Sequence, residues 1–265
     1  MRIVAAALLS LVLLTGCAAG TASFGDDSVT DAAAKCGPST VRTAGDVDPV
    51  KPAPEPDLPA TVESADGREV TVRSADRVLA VNMYGSLAEI VFSLGLGDRV
   101  VGRDASTTFP SARDLPLVTN NGHDLSAEAI LRLNPTVVLA DAGIGPPEAL
   151  DQLRASGIPV VMIGDEQTLP AIGEHVTAVA EALGVPDAGK ALRTRIDRQV
   201  EAARTDATAS SRPLRVAFLY LRGTAGVYLI GGDGAGSDAL IEAVGASTPG
   251  PPPGSRASGP SPARG

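Results

Sequence analysis

The sequence predicts an α/β protein with two parallel-sheet lobes joined by one long backbone helix, the C-terminal lobe being shortened. From Arg77 onward, short β-rich runs alternate with helical patterns, as in parallel βαβ units with right-handed crossovers. Residues 186–208 form one long charged pattern with apolar positions three and four apart, which predicts a connecting helix of about 33 Å. Strand and helix patterns resume beyond it and stop near Thr248.

The N-terminal lobe is predicted over residues 76–185. Its predicted strands lie at 77–81, 100–101, 117–118, 136–140 and 159–163, and its helices at 86–94, 126–133, 147–156 and 169–183. Helix 126–133 follows Ser126, a residue type that caps helix N-termini, and Asn134-Pro135 ends it. Helix 147–156 begins with proline in its first turn. Strands separated by such helices indicate a parallel sheet.

The C-terminal lobe is predicted over residues 213–248, with strands at 214–221 and 227–230 and a helix at 237–244. So few residues cannot build an independent core. In the tail, 249–265, ten of seventeen residues are Pro or Gly, which excludes helix and strand. This composition is typical of a GC-rich reading frame translated out of register, with a natural truncation or a disordered tail as alternatives.

The N-terminus carries a targeting pattern. Arg2 precedes an apolar run over 3–14 that is too short to span a bilayer and fits a signal-peptide core. The run ends in Leu-Thr-Gly-Cys17, which resembles the lipobox of bacterial lipoproteins, so residues 1–17 imply cleavage before Cys17 and its lipidation. The alternative is an ordinary signal peptide with an incidental cysteine. We expect a protein anchored to the outer face of the cell membrane.

Residues 18–75 are small, polar and acidic, with five prolines between 49 and 59. No apolar period survives there for long, and this predicts a flexible tether. Cys36 lies in the tether and is interpreted as a free thiol of no clear role.

Composition excludes several function classes. The chain has 22 Lys and Arg against 31 Asp and Glu, a net charge of −9, which is the reverse of a nucleic-acid binder. Two cysteines cannot form a disulfide scaffold or a four-cysteine zinc site. The glycine-rich run 231–236 lacks the Gly-Lys-Ser/Thr ending of a phosphate loop. The sequence has no nucleophile elbow, Walker loop or His/Asp/Glu metal cluster, so an enzyme on a doubly wound fold is not expected.

Four segments carry a family resemblance: 78–82, 94–102, 134–140 and 153–160. Together they resemble the substrate-binding proteins of ABC importers in the helix-backbone class, which takes up haem, iron-siderophores and cobalamin. The resemblance extends from about Arg77 to Ser247 and is nearest to the haem-binding lipoproteins of the HmuT type. It implies capture of haem, as transported ligand, and its delivery to an ABC permease with a cytoplasmic ATPase. An iron-siderophore or cobalamin receptor is the alternative.

The haem-iron ligands implied by this resemblance are His123 and Tyr220, with Arg222 supporting the site. His123 follows a strand and precedes a helix, at the sheet edge where open α/β folds bind ligands. Tyrosinate is a hard donor that suits Fe(III), and a nearby guanidinium favours the phenolate anion. Taken singly, His123 fits a loop histidine and Tyr220 a half-buried strand tyrosine better than iron ligands, and Arg222 fits a solvated charge. Their occurrence together at matching motif positions in two lobes favours the ligand assignment.

Three further residues are assigned by position. Tyr84 and Tyr228 are candidates for lining the cleft, one from each lobe. Glu128 matches the family's N-lobe residue that docks onto the permease, although an acidic first-turn residue also favours the helix dipole. His175 lies within helix 169–183 and is interpreted as a surface residue.

Overall fold

The computed structural model describes residues 45–208, 214–222, 227–230 and 236–248, with backbone alone at 206–208, 221–222 and 227–230. The predicted signal peptide, Cys17, Cys36 and the tail 249–265 lie outside the described residues. The strands are β1 (Ala60–Glu63), β2 (Glu69–Val72), β3 (Val78–Val81), β4 (Val100–Gly102), β5 (Thr119–Asn120), β6 (Asp124–Leu125), β7 (Val137–Ala140), β8 (Val160–Met162), β9 (Leu219–Arg222) and β10 (Val227–Ile230). The helices are α1 (Ser86–Ser93), α2 (Ala127–Arg132), α3 (Pro147–Ala155), α4 (Leu169–Ala182), α5 (Pro186–Thr208) and α6 (Ser237–Ala243).

The parallel sheet that the sequence predicts for the N-terminal lobe is present, and it has four strands in the order β4-β3-β7-β8. Its two central strands, β3 and β7, are buried along their whole length, which is why they read as unbroken apolar runs. One hydrophobic cluster packs α1 and α4 against one face, and a second packs α2 and α3 against the other. Both faces are therefore covered, and the carboxyl ends of the strands meet at one edge.

The predicted tether is wrong for residues 45–75. Strands β1 and β2 form an antiparallel hairpin within it, and Val72 and Ala75 are buried in the core. Upstream of the hairpin, the backbone N–H of Val50 donates to Ser93 O and that of Asp57 donates to Gly184 O, both at 2.8 Å. These bonds are tertiary and leave no periodic signal in a proline-rich segment.

The predicted strand at 117–118 is also wrong. Leu117 makes one isolated parallel bridge to Arg103, and the chain then turns into the short antiparallel hairpin of β5 and β6. Helix α2 follows directly, with Ser126 as its N-cap: the Oγ accepts from the N–H of Ala129 at 3.2 Å.

Helix α5 packs along α4 and leads to the C-terminal elements. The close approach requires a glycine, since a Cβ on Gly189 would lie 2.5 Å from that of Ala180. Beyond it, β9 begins at Leu219 and not at 214, and it pairs antiparallel with β10. The expected second parallel sheet is thus not formed by β9 and β10, because four connecting residues cannot make a parallel crossover.

Candidate functional site

Buried polar residues follow three neighbouring strands at the carboxyl edge of the sheet. Asn82 comes after β3, Asp104 after β4 and Asp141 after β7, and each is at most 1% exposed. Asp104 Oδ2 accepts from the backbone N–H of Asn82, and Asn82 Nδ2 donates to Asp141 Oδ2, both at 3.0 Å. We call these three residues the strand-end network. Their hydrogen bonds connect the loops at the carboxyl edge of the sheet to one another and to the core.

Asp104 holds the segment that carries Tyr84. Its Oδ1 accepts from the backbone N–H groups of Ser106 and Thr107 at 2.8 Å, and Ser106 Oγ donates to Met83 O at 2.6 Å. Tyr84 itself is 57% exposed at this edge. The next residue, Gly85, has φ 75°, and a Cβ there would lie 2.8 Å from Ser106 O, so no larger residue fits.

Asp141 holds the loop that follows β7. Its Oδ1 accepts from the backbone N–H of Gly143 at 3.0 Å. Burial raises the pKa of the Asp141 carboxyl, an effect that the bond from Asn82 offsets in part. Two residues beyond Gly143, the carbonyl of Gly145 accepts from Leu125 N–H at 2.7 Å. The loop 141–145 therefore contacts the β5–β6 hairpin.

His123 lies in the turn of that hairpin, next to Asp124, which bridges to Gly145. The turn uses positive φ angles at Asn121, 47°, and at Gly122, 98°. The histidine is half-buried, and its Nδ1 is buried with no hydrogen-bond partner among the described residues. The hairpin that carries His123 is thus bonded to the loop that follows β7, at the carboxyl edge of the parallel sheet.

Tyr220 and Arg222 lie on β9, and Tyr220 is 44% exposed. The register pairs Tyr220 with Leu229 and Tyr228 with Leu221. Because successive strand positions alternate between faces, positions 220 and 222 share one face of the β9–β10 hairpin and position 228 belongs to the other. Position 228 therefore belongs to the face of the hairpin opposite that of position 220, and the expectation that Tyr84 and Tyr228 line the cleft stays a prediction.

The other assigned residues occupy ordinary surface and helix positions. Glu128 is in the first turn of α2, its side chain 83% exposed and paired with Arg132 at 2.7 Å. His175 is half-buried on α4, with Nε2 3.4 Å from where a Cβ on Gly164 would lie. Among the described residues, no three His, Cys, Asp or Glu side chains are grouped to hold a metal ion.

Two cavities were found away from these residues. One, about 500 Å³, lies between β1 and the turn from α4 to α5; the other, about 430 Å³, lies beside β2 and β8. Neither is lined by His123 or Tyr220.

The strand-end network was missed by sequence reasoning. Its only sequence signal is one polar residue soon after each apolar strand run, at Asn82, Asp104 and Asp141. Such residues are common, and only the tertiary fold brings these three together.

Comparison with known proteins gives a family and several relatives. The family model described as periplasmic binding protein matches residues 81–251. A crystal structure of the heme binding protein HmuT superposes with a TM-score of 0.73 and 40% identity, covering 79% of this chain and 69% of that one. Solved structures of HmuT include alanine variants at one histidine, one tyrosine and one arginine, the last two being two positions apart.

Curated relatives match over shorter stretches. The substrate-binding lipoprotein YvrC of an ABC transporter in Bacillus subtilis is 29% identical over 130 residues, 48% of this chain and 40% of the relative. A vitamin B12-binding protein of Yersinia pestis is 31% identical over 144 residues, 54% of this chain and 50% of the relative. The matches thus span half or less of these relatives.

Proposed function

The chain belongs to the periplasmic binding protein family, and we propose that it captures haem outside the cytoplasmic membrane and delivers it to an ABC permease for haem and iron uptake. This is a family of binding proteins and not of enzymes. One observation carries the proposal: a histidine at the carboxyl edge of the parallel sheet and a Tyr-x-Arg strand in the other lobe use the residue types varied in HmuT. The tyrosine and arginine also have the same spacing as in HmuT.

In the proposed site, His123 and Tyr220 bind the haem iron from opposite faces. Because Nδ1 of His123 is the buried ring nitrogen, Nε2 is the atom proposed to reach iron. Tyr220, nearly half exposed, presents its phenol at the surface. As a phenolate it binds Fe(III) and offsets the positive charge of the metal, and Arg222 stabilises that anion.

A haemin titration followed by absorbance tests this function. We expect saturable binding with a shifted Soret band, and Arg222→Ala should weaken binding less than loss of Tyr220 does, since it removes support and not a ligand. Absence of saturable haemin binding by the folded protein would contradict the proposal.

Cobalamin is the second candidate, favoured by the vitamin B12-binding relative from Yersinia pestis. The same titration with cyanocobalamin in place of haemin separates the two. Haem recognition predicts that excess cyanocobalamin does not displace haemin, whereas a cobalamin receptor would show the reverse order of affinity.

Membrane attachment through Cys17 is part of the proposal. Among the described residues, none of the helices is both long and apolar enough to cross a bilayer. The Bacillus subtilis relative is named as a lipoprotein. Cys17→Ser should abolish fatty-acid labelling and release the protein from membranes, while Cys36→Ser, the matched control, should remain labelled. Continued labelling of Cys17→Ser would overturn the lipobox assignment.

Glu128 is proposed to dock onto the permease. Its ion pair with Arg132 is exposed and thus weak, so the carboxylate can exchange this partner for one on another protein. Glu128→Ala should leave haem affinity unchanged and slow association with the permease, with Arg132→Ala as the control that frees the carboxylate. Equal association of parent and Glu128→Ala would count against this role.

A further inference from the structure

We propose that Asp141 is a positioning residue for His123, acting through the loop 141–145 that supports the histidine-bearing hairpin. The inference rests on the proposed function, in which His123 is an iron ligand. Asp141 would not touch haem. Its carboxylate would fix the backbone that orients the histidine.

The first step of the argument concerns the ring of His123. Metal-binding histidines usually donate their second ring nitrogen to a carboxylate or carbonyl, which fixes the orientation of the ring. Here Nδ1 is buried and has no such partner within the described part of the chain. The ring orientation therefore depends on the backbone of the hairpin that carries it.

The β5–β6 hairpin is too small to be stable without contacts to the rest of the protein. Strands β5 and β6 have two residues each, and isolated two-stranded hairpins are marginal in water even when longer. Its second strand is attached to the loop after β7, where the Gly145 carbonyl accepts from Leu125 N–H at 2.7 Å. Leu125 is two residues from His123, so movement of Gly145 would be transmitted to the histidine.

The loop after β7 is in turn fixed by Asp141. One carboxylate oxygen accepts from Gly143 N–H, and the other accepts from Asn82 Nδ2, each at 3.0 Å. The same amide of Asn82 also donates to Ser86 Oγ at 2.9 Å, at the start of α1. Asp141 thus links the buried end of β3 and the first turn of α1 to the loop that holds the hairpin.

Asp104 provides a matched control. It is as buried as Asp141 and is also bonded to Asn82, through the backbone N–H. Its remaining hydrogen bonds go to Ser106 and Thr107, in the segment that fixes Tyr84 and not in the loop that holds His123. Replacing Asp104 disturbs a similar buried carboxylate without breaking the path to the histidine.

A double-mutant cycle on the full chain tests the inference. Asp141→Asn should weaken haemin binding about tenfold and move the ferric-haem spectrum toward that of His123→Ala. In the His123→Ala background the same change should add less than about twofold, since the ligand it positions is already gone. Asp104→Asn, which does not lie on this path, should not move the spectrum toward that of His123→Ala.

A reciprocal variant separates positioning from stability. In the double variant Asn82→Asp with Asp141→Asn, the side-chain amide at position 141 can donate to the carboxylate at position 82. This restores the hydrogen bond in the reverse direction, and the double variant should recover the spectrum of the parent. Equal losses from Asp141→Asn with and without His123, or a spectrum of the parent type in Asp141→Asn, would overturn the positioning role. A parent spectrum in His123→Ala alone would instead overturn the ligand assignment beneath it.

Discussion

The two proposed iron ligands lie on regions that are packed very differently. His123 is attached to a lobe whose central strands are wholly buried between two hydrophobic clusters. Tyr220 is attached to a hairpin in a region where Leu214, Leu219 and Leu240 are each more than half exposed. Among residues 214–220 and 236–248, whose burial the structure describes, one hydrophobic residue is buried, Ile241. One ligand is thus held by a core, and the other by a thin surface element.

The largest expected effect is on stability and falls in the N-terminal lobe. Leu139 on β7 is fully buried, so Leu139→Ala should lower the free energy of unfolding by about 2–5 kcal/mol. Leu240 on α6 is 63% exposed, and Leu240→Ala should cost about 0.5 kcal/mol or less. Urea denaturation measures both changes. Equal losses would show that the two regions do not differ in packing as described.

The next effect is on haem affinity. Tyr220→Ala should weaken haemin binding by about a hundredfold and more than His123→Ala, because the phenolate contributes charge as well as a donor atom. Tyr228→Ala is the matched control in the same hairpin, and His175→Ala is the control histidine. Affinities come from absorbance titrations. If Tyr228→Ala lowered haemin affinity as much as Tyr220→Ala, the assignment of haem binding to the hairpin face of Tyr220 would be wrong.

A smaller effect compares two serines at helix starts. Ser126 Oγ caps α2, so Ser126→Ala should cost about 1 kcal/mol of unfolding free energy. Ser237 at the start of α6 has a buried Oγ with no partner among the described residues, so Ser237→Ala should cost nothing measurable. Thermal denaturation of the two variants checks this. A greater loss from Ser237→Ala would indicate that its hydroxyl has a role that the structure does not show.

The smallest effect depends on pH and concerns the segment before β1. Ser111 Oγ donates to Asp46 at 2.6 Å and lowers the pKa of that carboxyl below its ordinary value of 3.8. The stabilisation is therefore present above pH 3.8 and is lost as pH falls through the folded-state pKa. Ser111→Ala should be slightly less stable than the parent at pH 7, and the difference should shrink as pH falls below 3.8.

The stabilisation that involves Asp141 changes with pH in the opposite direction to that of Asp46, and it serves as an internal comparison. Its folded-state pKa is raised by burial, so the stabilisation that comes from its protonation is full below pH 3.8 and is lost as pH rises through the raised pKa. Asp141→Asn stays neutral and should lack this component in an unfolding series across acidic pH. If the difference in stability between the parent and Ser111→Ala grew on acidification, the lowered pKa assigned to Asp46 would be contradicted.

The predictable parts of the fold are those specified by local pattern. Strands β3 and β7 are unbroken apolar runs, and α2 is bounded by Ser126 and Asn134, so both were recognisable from sequence. The segment 45–75 was not, because Val50 and Asp57 are attached through backbone bonds to distant residues. The antiparallel pairing of β9 with β10 could have been predicted from their four-residue connection.

The candidate site also contains some residues that the sequence predicts and others that depend on tertiary contacts. Residue type and family position predict His123, Tyr220 and Arg222, and the parallel topology predicts which edge of the sheet carries the ligand-binding loops. The strand-end network of Asn82, Asp104 and Asp141 depends on bonds between residues 22 to 59 positions apart, which no local pattern encodes.

The most direct test of coordination from both lobes is the absorption spectrum of the ferric-haem complex in the parent, His123→Ala and Tyr220→Ala proteins. If each lobe supplies one axial ligand, the spectra of both variants must differ from that of the parent and from each other. Tyr228→Ala must keep the parent spectrum. Spectra of His123→Ala and Tyr220→Ala that both match the parent would contradict the account.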